Sequence, residues 1–197
     1  MIDIQSHIVE FRNGESGKHV FHMDKVIQLL LDKIVQKTDK YPSLWQERIL
    51  IRTASALHDI GKIGIDEAIL NKPGRLTAEE FESMKAHTTI GADMLRNLPR
   101  YQEERILQIA IEICRWHHER YDGKGYPDGL VGDEIPISAQ LVSIADVYDA
   151  LTSERVYKKA FSHEKAMQMI REGECGAFNP LLLSCLEEIA DELQAEM

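Results

Sequence analysis

An all-α fold, built as one helical bundle, is what this 197-residue chain predicts. Three observations carry that expectation. Apolar residues recur at helical rather than alternating spacing along most of the chain. Ser, Thr and Asn stand ahead of several of these stripes, where helices start. No run reads as an alternating strand, and no repeat, low-complexity tract or linker divides the chain. With 44% hydrophobic residues, 12 Gly and 6 Pro, the chain suits a single domain with a true core rather than a disordered or fibrous one.

About seven helices follow in order. Lys18 to about Lys37 carries Val20, Met23, Val26, Ile27, Leu30, Leu31, Ile34 and Val35 on one stripe. Ser43, with Gln46 three residues on, reads as a capping box opening a second helix that runs into "ASALHDIGKIGIDE". Thr77 and Glu80 form the same signature before a third helix, expected to end near Leu98-Pro99. A fourth spans about Tyr101 to His118. Then "ERYDGKGYPDGLVGDEIP", dense in Gly, Pro and Asp-Gly, reads as a loop. A fifth helix covers about Ile137 to Thr152. Ser162 caps a sixth, and Asn179-Pro180 start a last one ending near Gln194.

Net charge is −10, which excludes a broad nucleic-acid footprint, since duplex binding needs a basic face. A small phosphorylated ligand remains compatible if something local, such as metal ions, supplies positive charge. No membrane span or signal peptide is read. Cys114, Cys175 and Cys185 form no CxxC pair, so reduced thiols in a cytoplasmic protein are the simplest reading. Cys114, one turn before His117, is expected in the core rather than as a ligand.

Five helices bring metal-competent side chains onto or near their apolar side. They carry His19, His58 with Asp59, His87, His117 with His118, and Asp146. In a bundle such faces converge. One histidine on an apolar face is ordinarily a hydrogen-bonded core residue. Five such sites together would bury imidazoles and carboxylates with few partners, and cations relieve that problem. Adjacent helical residues point about 100° apart, so His58-Asp59 can serve two ions, with the carboxylate bridging both. Paired ions about 3.5–4 Å apart suit in-line attack on phosphorus by a water whose pKa they lower. His7, His22 and His163 are read as ordinary, His163 as solvent-facing; His22 and Asp149 lie one turn from ligands and are compatible with a supporting role.

The ordered series "GESGKH", "HDIGK", "NKPGRLT", "HTTIGADML", "HHERYDGKGYP" and "SIADVYDALTSERVYKK" resembles the HD-GYP family, a branch of the HD metal-dependent phosphohydrolases. The resemblance covers nearly the whole chain, so residues 1–197 are expected to be one catalytic domain, with 1–14 the end of an upstream linker. It implies an all-helical enzyme hydrolysing cyclic di-GMP to linear pGpG, and onward to GMP, in bacterial second-messenger signalling. It implies metal ligands at Glu15, His19, His58, Asp59, His87, His117, His118 and Asp146, with Glu15 and His19 helping to hold a third ion in some members. Asp59 and Lys62 take the catalytic roles, Lys62 at the scissile phosphate. Lys62, Arg155 and Lys158 match substrate-contacting positions, and Gly125, Tyr126 and Pro127 form the signature loop. Ser16 stands where threonine is usual, and Asn179 where aspartate is.

Two or three divalent ions are implied, iron or manganese by the resemblance; zinc and nickel also suit mixed imidazole–carboxylate donors. Expected partners are cyclic di-GMP and a sensor, receiver or GGDEF-type domain, with a homodimer left open and neither membrane nor polymeric nucleic acid. The alternatives are an HD phosphohydrolase for another nucleotide, such as cyclic GMP-AMP, and a dinucleotide-binding signalling module without turnover.

Overall fold

The computed structural model describes residues 18–154 and 159–196, which form ten α-helical segments, three short 3-10 turns and no strand beyond one isolated bridge between Asp122 and Val131. The segments are α1 Lys18–Lys37, α2 Leu44–Ser55, α3 Glu67–Leu70, α4 Ala78–Lys85, α5 His87–Arg96, α6 Arg105–Trp116, α7 Ile137–Thr152, α8 His163–Arg171, α9 Pro180–Glu188 and α10 Ala190–Glu196. Glu15, Arg155 and Lys158, along with His7 and Ser16, lie outside the described residues.

Ten segments replace about seven because two expected helices are each divided and the four-residue α3 was not foreseen. The third expected helix breaks at Ala86. There His87 Nδ1, Thr88 Oγ1 and Thr89 Oγ1 donate to the carbonyls of Met84, Lys85 and Ala86, at 2.7, 2.9 and 3.0 Å. Side chains that bond to nearby carbonyls compete with the helical ladder and bend it. The last expected helix breaks at Ile189, whose backbone leaves helical values (φ −101°, ψ 6°) while its side chain stays buried.

The capping signals divide. Thr77 and Glu80 exchange both bonds of a capping box, and Ser162 and Asn179 cap through their side chains. Ser43 does not. Its backbone is already helical, and the turn closes instead through Leu44 N–H to the Tyr41 carbonyl at 3.0 Å. The fourth helix starts later than expected, at Arg105, because Pro99–Tyr101 form their own 3-10 turn. Asn179 also donates from Nδ2 to Gln140 Oε1 at 2.8 Å, a bond an ionised aspartate could not make.

Six of the eight residues of the α1 stripe, Met23, Val26, Ile27, Leu30, Leu31 and Ile34, are buried, and Val20 and Val35 at its ends are half-buried. Each of the six buried side chains contributes about 1.5–3 kcal/mol. α7 is the central helix, enclosed on nearly all sides, with Ala139, Leu141, Val142, Ile144, Ala145, Tyr148 and Leu151 buried. Ser138, Gln140, Ser143 and Asp149 on the same helix are buried as well. α1 packs on α2 and α7, and α6 lies against α2, α5 and α7. The ends of these helices therefore meet at one place.

Candidate metal centre

The adjacent pairs His58-Asp59 and His117-His118 both stand just past a helix end rather than inside a helix. α2 stops at Ser55, and residues 56–59 continue as tight turns, with Leu57 N–H to Ala54 O at 2.9 Å and His58 N–H to Ser55 O at 3.1 Å. α6 stops at Trp116, with His117 as its C-cap. The helical-wheel argument for His58-Asp59 is corrected on this point. It is a turn that separates the two side chains, because hydrogen bonds to the third residue back tighten the backbone. Next, Ile60–Gly64 forms a 3-10 turn seated against α5. A Cβ on Gly61 would lie 1.9 Å from the His87 carbonyl oxygen, so only glycine allows this approach.

Three imidazoles are aimed in the same way. Nδ1 of His58, His87 and His117 lies 2.9, 2.7 and 2.9 Å from the carbonyls of Ser55, Met84 and Ile113. A carbonyl only accepts, so each Nδ1 carries a proton, and the neutral rings of His87 and His117 then present a lone pair at Nε2. His19 is set by a carboxylate instead, its Nδ1 donating to Asp149 Oδ2 at 2.6 Å. Asp149 is held in turn by Ser153 Oγ at 2.7 Å and His22 Nδ1 at 2.9 Å. His22 and Asp149 are thus the outer partners of His19.

The donors gather into two adjoining groups. Asp59, His87, His117 and His118 form one; His19, His58 and Asp146 form the other; within each, the donor atoms lie within 4.8 Å of one another. Asp59 joins them. Its Oδ1 is 3.3 Å from His87 Nε2 and 3.9 Å from His117 Nε2, while its Oδ2 is 3.2 Å from His58 Nε2. His19 falls with His58 and Asp146, its Nε2 3.5 Å from His58 Nε2 and 3.9 Å from Asp146 Oδ1.

Electrostatics divide the same way. Burial pulls His117 down to about 3, with the His58 and His87 rings adding to it. Burial likewise lowers His87, and burial and His117 drive His118 well below the ordinary range. These imidazoles are neutral at neutral pH. Burial opposes charge on His58 too, but the Asp59 carboxylate beside it prevails and pushes it up to about 9. Burial also opposes ionisation of Asp59, yet Lys62 and His58 hold its carboxyl well below the carboxylate range. Lys62 Nζ is 2.6 Å from Asp59 Oδ2.

The fit to cations rests on orphaned atoms. Asp59 Oδ1, His87 Nε2 and His117 Nε2 are buried without a hydrogen-bond partner. Such atoms are costly in a protein interior. All three are acceptors facing one another, so no proton shared among them satisfies the set, whereas a divalent cation does. Cys114 stays out of the cluster: it is fully buried, its thiol donating to the Leu57 carbonyl at 3.0 Å.

The loop after α6 borders this centre. The Tyr126 ring stacks on His118, centroids 4.7 Å apart and planes 26° from parallel. Sequence reasoning missed what holds the loop. Glu119, 2% exposed, accepts from the backbone N–H groups of Asp128, Gly129 and Leu130. Asp128 receives Arg115 through two bonds and Trp116 Nε1 at 2.7 Å. Arg120 donates to the Cys175 and Glu119 carbonyls and to Ser143 Oγ. A glutamate beside paired histidines and followed by an Asp-Gly run rich in free N–H groups was the available signal. Gly125 is required where the loop folds back, since a Cβ there would lie 2.3 Å from Arg120 N. His163 is corrected from solvent-facing to half-buried, its Nδ1 2.8 Å from the Tyr148 hydroxyl.

Known proteins resemble this chain in sequence and fold. A family model described as HD domain matches residues 10–180. A cyclic di-GMP phosphodiesterase of Vibrio cholerae is 40% identical over 192 residues, covering 96% of this chain and 39% of that protein. A 3'3'-cGAMP-specific phosphodiesterase of the same organism is 37% identical over 190 residues, covering 96% of this chain and 34% of that protein. The chain thus spans about two fifths of these curated relatives or less. The solved structure of Bd1817, an HDG"Y"P protein from Bdellovibrio bacteriovorus, superposes with a TM-score of 0.63 at 20% identity, over 88% of this chain and 51% of that one. It shows the same fold, and the resemblance to the HD-GYP branch is borne out.

Proposed function

This chain belongs to the HD domain family, and on that premise we propose that it is a metal-dependent phosphodiesterase opening cyclic di-GMP to linear pGpG, with GMP as the product of a second cut. The observation that carries the reading is a pair of adjoining donor groups, linked by Asp59 Oδ2 at 3.2 Å from His58 Nε2, with three buried acceptor atoms unpaired in the group that holds Asp59. His87, His117, His118 and Asp59 would hold one cation, and His19, His58 and Asp146 another, with Asp59 common to both. The chemistry such cations supply is a nucleophilic hydroxide near neutral pH and neutralisation of charge on the phosphoryl oxygens. Donors of this mixed kind suit iron or manganese.

The protein's own part is positional. The Nδ1 bonds to carbonyls and to Asp149 orient the rings before any ligand arrives, so no reorganisation is needed at reaction. Lys62 keeps Asp59 ionised and stands one 3-10 turn from it, where its ammonium meets a phosphoryl oxygen. Arg155 and Lys158 serve as further contacts to substrate phosphate or guanine. Overall, one water adds across the P–O3′ bond, its hydroxyl going to phosphorus and its proton to the 3′ oxygen.

Asp59→Ala tests the reading. Both metal content and hydrolysis of cyclic di-GMP should fall to background. Retention of both would contradict a shared carboxylate. Assaying 3'3'-cGAMP in parallel decides the alternative nucleotide, which a relative's specificity brings into view.

A further inference from the structure

α4 places Phe81 and Lys85 one turn apart beside the signature loop. Phe81 is 46% exposed at the edge of this ionic site. Its ring meets Tyr126 edge-on, centroids 6.3 Å apart at 82°, and Tyr126 stacks on His118. An aromatic ladder therefore leads from a candidate metal ligand out to solvent, through Tyr126 to Phe81. The Lys85 ammonium does not extend into water. It stands 5.6 Å from the centroids of both Phe81 and Tyr126, steadied by Glu82 Oε1 at 2.7 Å.

We propose that Phe81 and Lys85 form a base platform, on which one guanine of a cyclic dinucleotide stacks while its phosphate lies at the metal centre. The inference rests on the phosphodiesterase reading above. A ring whose only task was to pin the loop would be covered by it, yet nearly half of Phe81 is open. The loop is also already held from beneath by Glu119 and Asp128. Aromatic side chains recognise bases through stacking, which every base permits, and a neighbouring cation adds attraction. Guanine in particular presents two acceptors, O6 and N7, along one edge. The Lys85 ammonium, which lies over the Phe81 ring, offers that edge a donor.

The test uses the full chain loaded with metal. Steady-state hydrolysis of cyclic di-GMP is measured for Phe81→Leu, Phe81→Trp and Lys85→Met, with metal content and melting temperature followed in each. Phe81→Leu keeps the apolar bulk and removes the π-face, so KM should rise about 10-fold with kcat little changed, within the range known for base stacking. Phe81→Trp should restore KM to near the parent value. Lys85→Met should raise KM by about 3- to 10-fold, the effect of a cation–π or single polar contact. A Phe81→Leu enzyme with the parental KM would overturn the platform. So would a loss confined to kcat, metal content or melting temperature, which would make Phe81 a support for the loop. If the parent protein turns over no cyclic dinucleotide, it is the phosphodiesterase reading that fails. Binding of cyclic di-GMP, followed by calorimetry in the same variants, then decides the platform separately.

Discussion

Glu119→Gln isolates the contribution of a single carboxylate to the signature loop. The buried carboxylate accepts three backbone N–H groups: Asp128 at 2.7 Å and Gly129 at 3.0 Å on Oε1, and Leu130 at 3.1 Å on Oε2. Glutamine is nearly the same size but has only one carbonyl oxygen. In its best orientation the oxygen keeps the first two bonds, and its NH2 group then faces the Leu130 N–H, donor against donor. Orphaning that donor costs about 1–3 kcal/mol. The two retained bonds lose charge assistance, which makes such bonds roughly twice as strong as neutral ones. Together the loss is about 3 kcal/mol. For a domain of this size 1 kcal/mol moves the melting temperature by about 2–4 °C, so a fall of about 6–12 °C is expected by calorimetry. Turnover should fall as well, because Tyr126 rides on the same loop, while metal content stays near the parent value, since Glu119 belongs to neither donor group. A melting temperature within about 2 °C of the parent would refute the argument that Glu119 anchors the loop.

Three more outcomes follow from the same geometry. Lys62→Met should slow hydrolysis of cyclic di-GMP while leaving bound metal unchanged; loss of metal on elemental analysis would make Lys62 a structural residue. Gly61→Ala forces a Cβ to 1.9 Å from the His87 carbonyl oxygen, so the turn must separate from α5. A loss of about 3 kcal/mol or more is expected in denaturant unfolding, together with reduced metal content, and an unchanged midpoint would show that the backbone gives way without cost. Removing cations with a chelator should lower the melting temperature, and restoring them should raise it again. They bind the folded cluster and relieve its unpaired acceptors, so a melting point indifferent to chelation would argue against an ion at the Asp59 group.

Periodicity alone determined much of this molecule. Residues 23 to 34 carry an apolar stripe whose spacing has one solution, a helix with that face inward, and each of those apolar side chains is buried. The expected bounds of the fifth helix, about Ile137 to Thr152, are those of α7. The donors His58, Asp59, His87, His117, His118 and Asp146 were also legible, because ionisable side chains on apolar faces are costly unless they share a purpose. What local pattern could not supply was competition between side chains and backbone. Ser43 has capping chemistry but no cap, and Thr88 and Thr89 draw carbonyls out of a helix the sequence reads as continuous.

Distance in space was the other missing quantity. His19 and Asp149 are separated by 130 residues, and Asn179 and Gln140 by 39, yet each pair is joined by a hydrogen bond. Likewise Phe81 and Tyr126 belong to different stretches of chain, and only the packing of α4 beside the loop brings their rings together. Spacing along a chain states which faces exist; which faces meet is decided by how the helices close on one another. The chemistry proposed for this protein lies at those meetings.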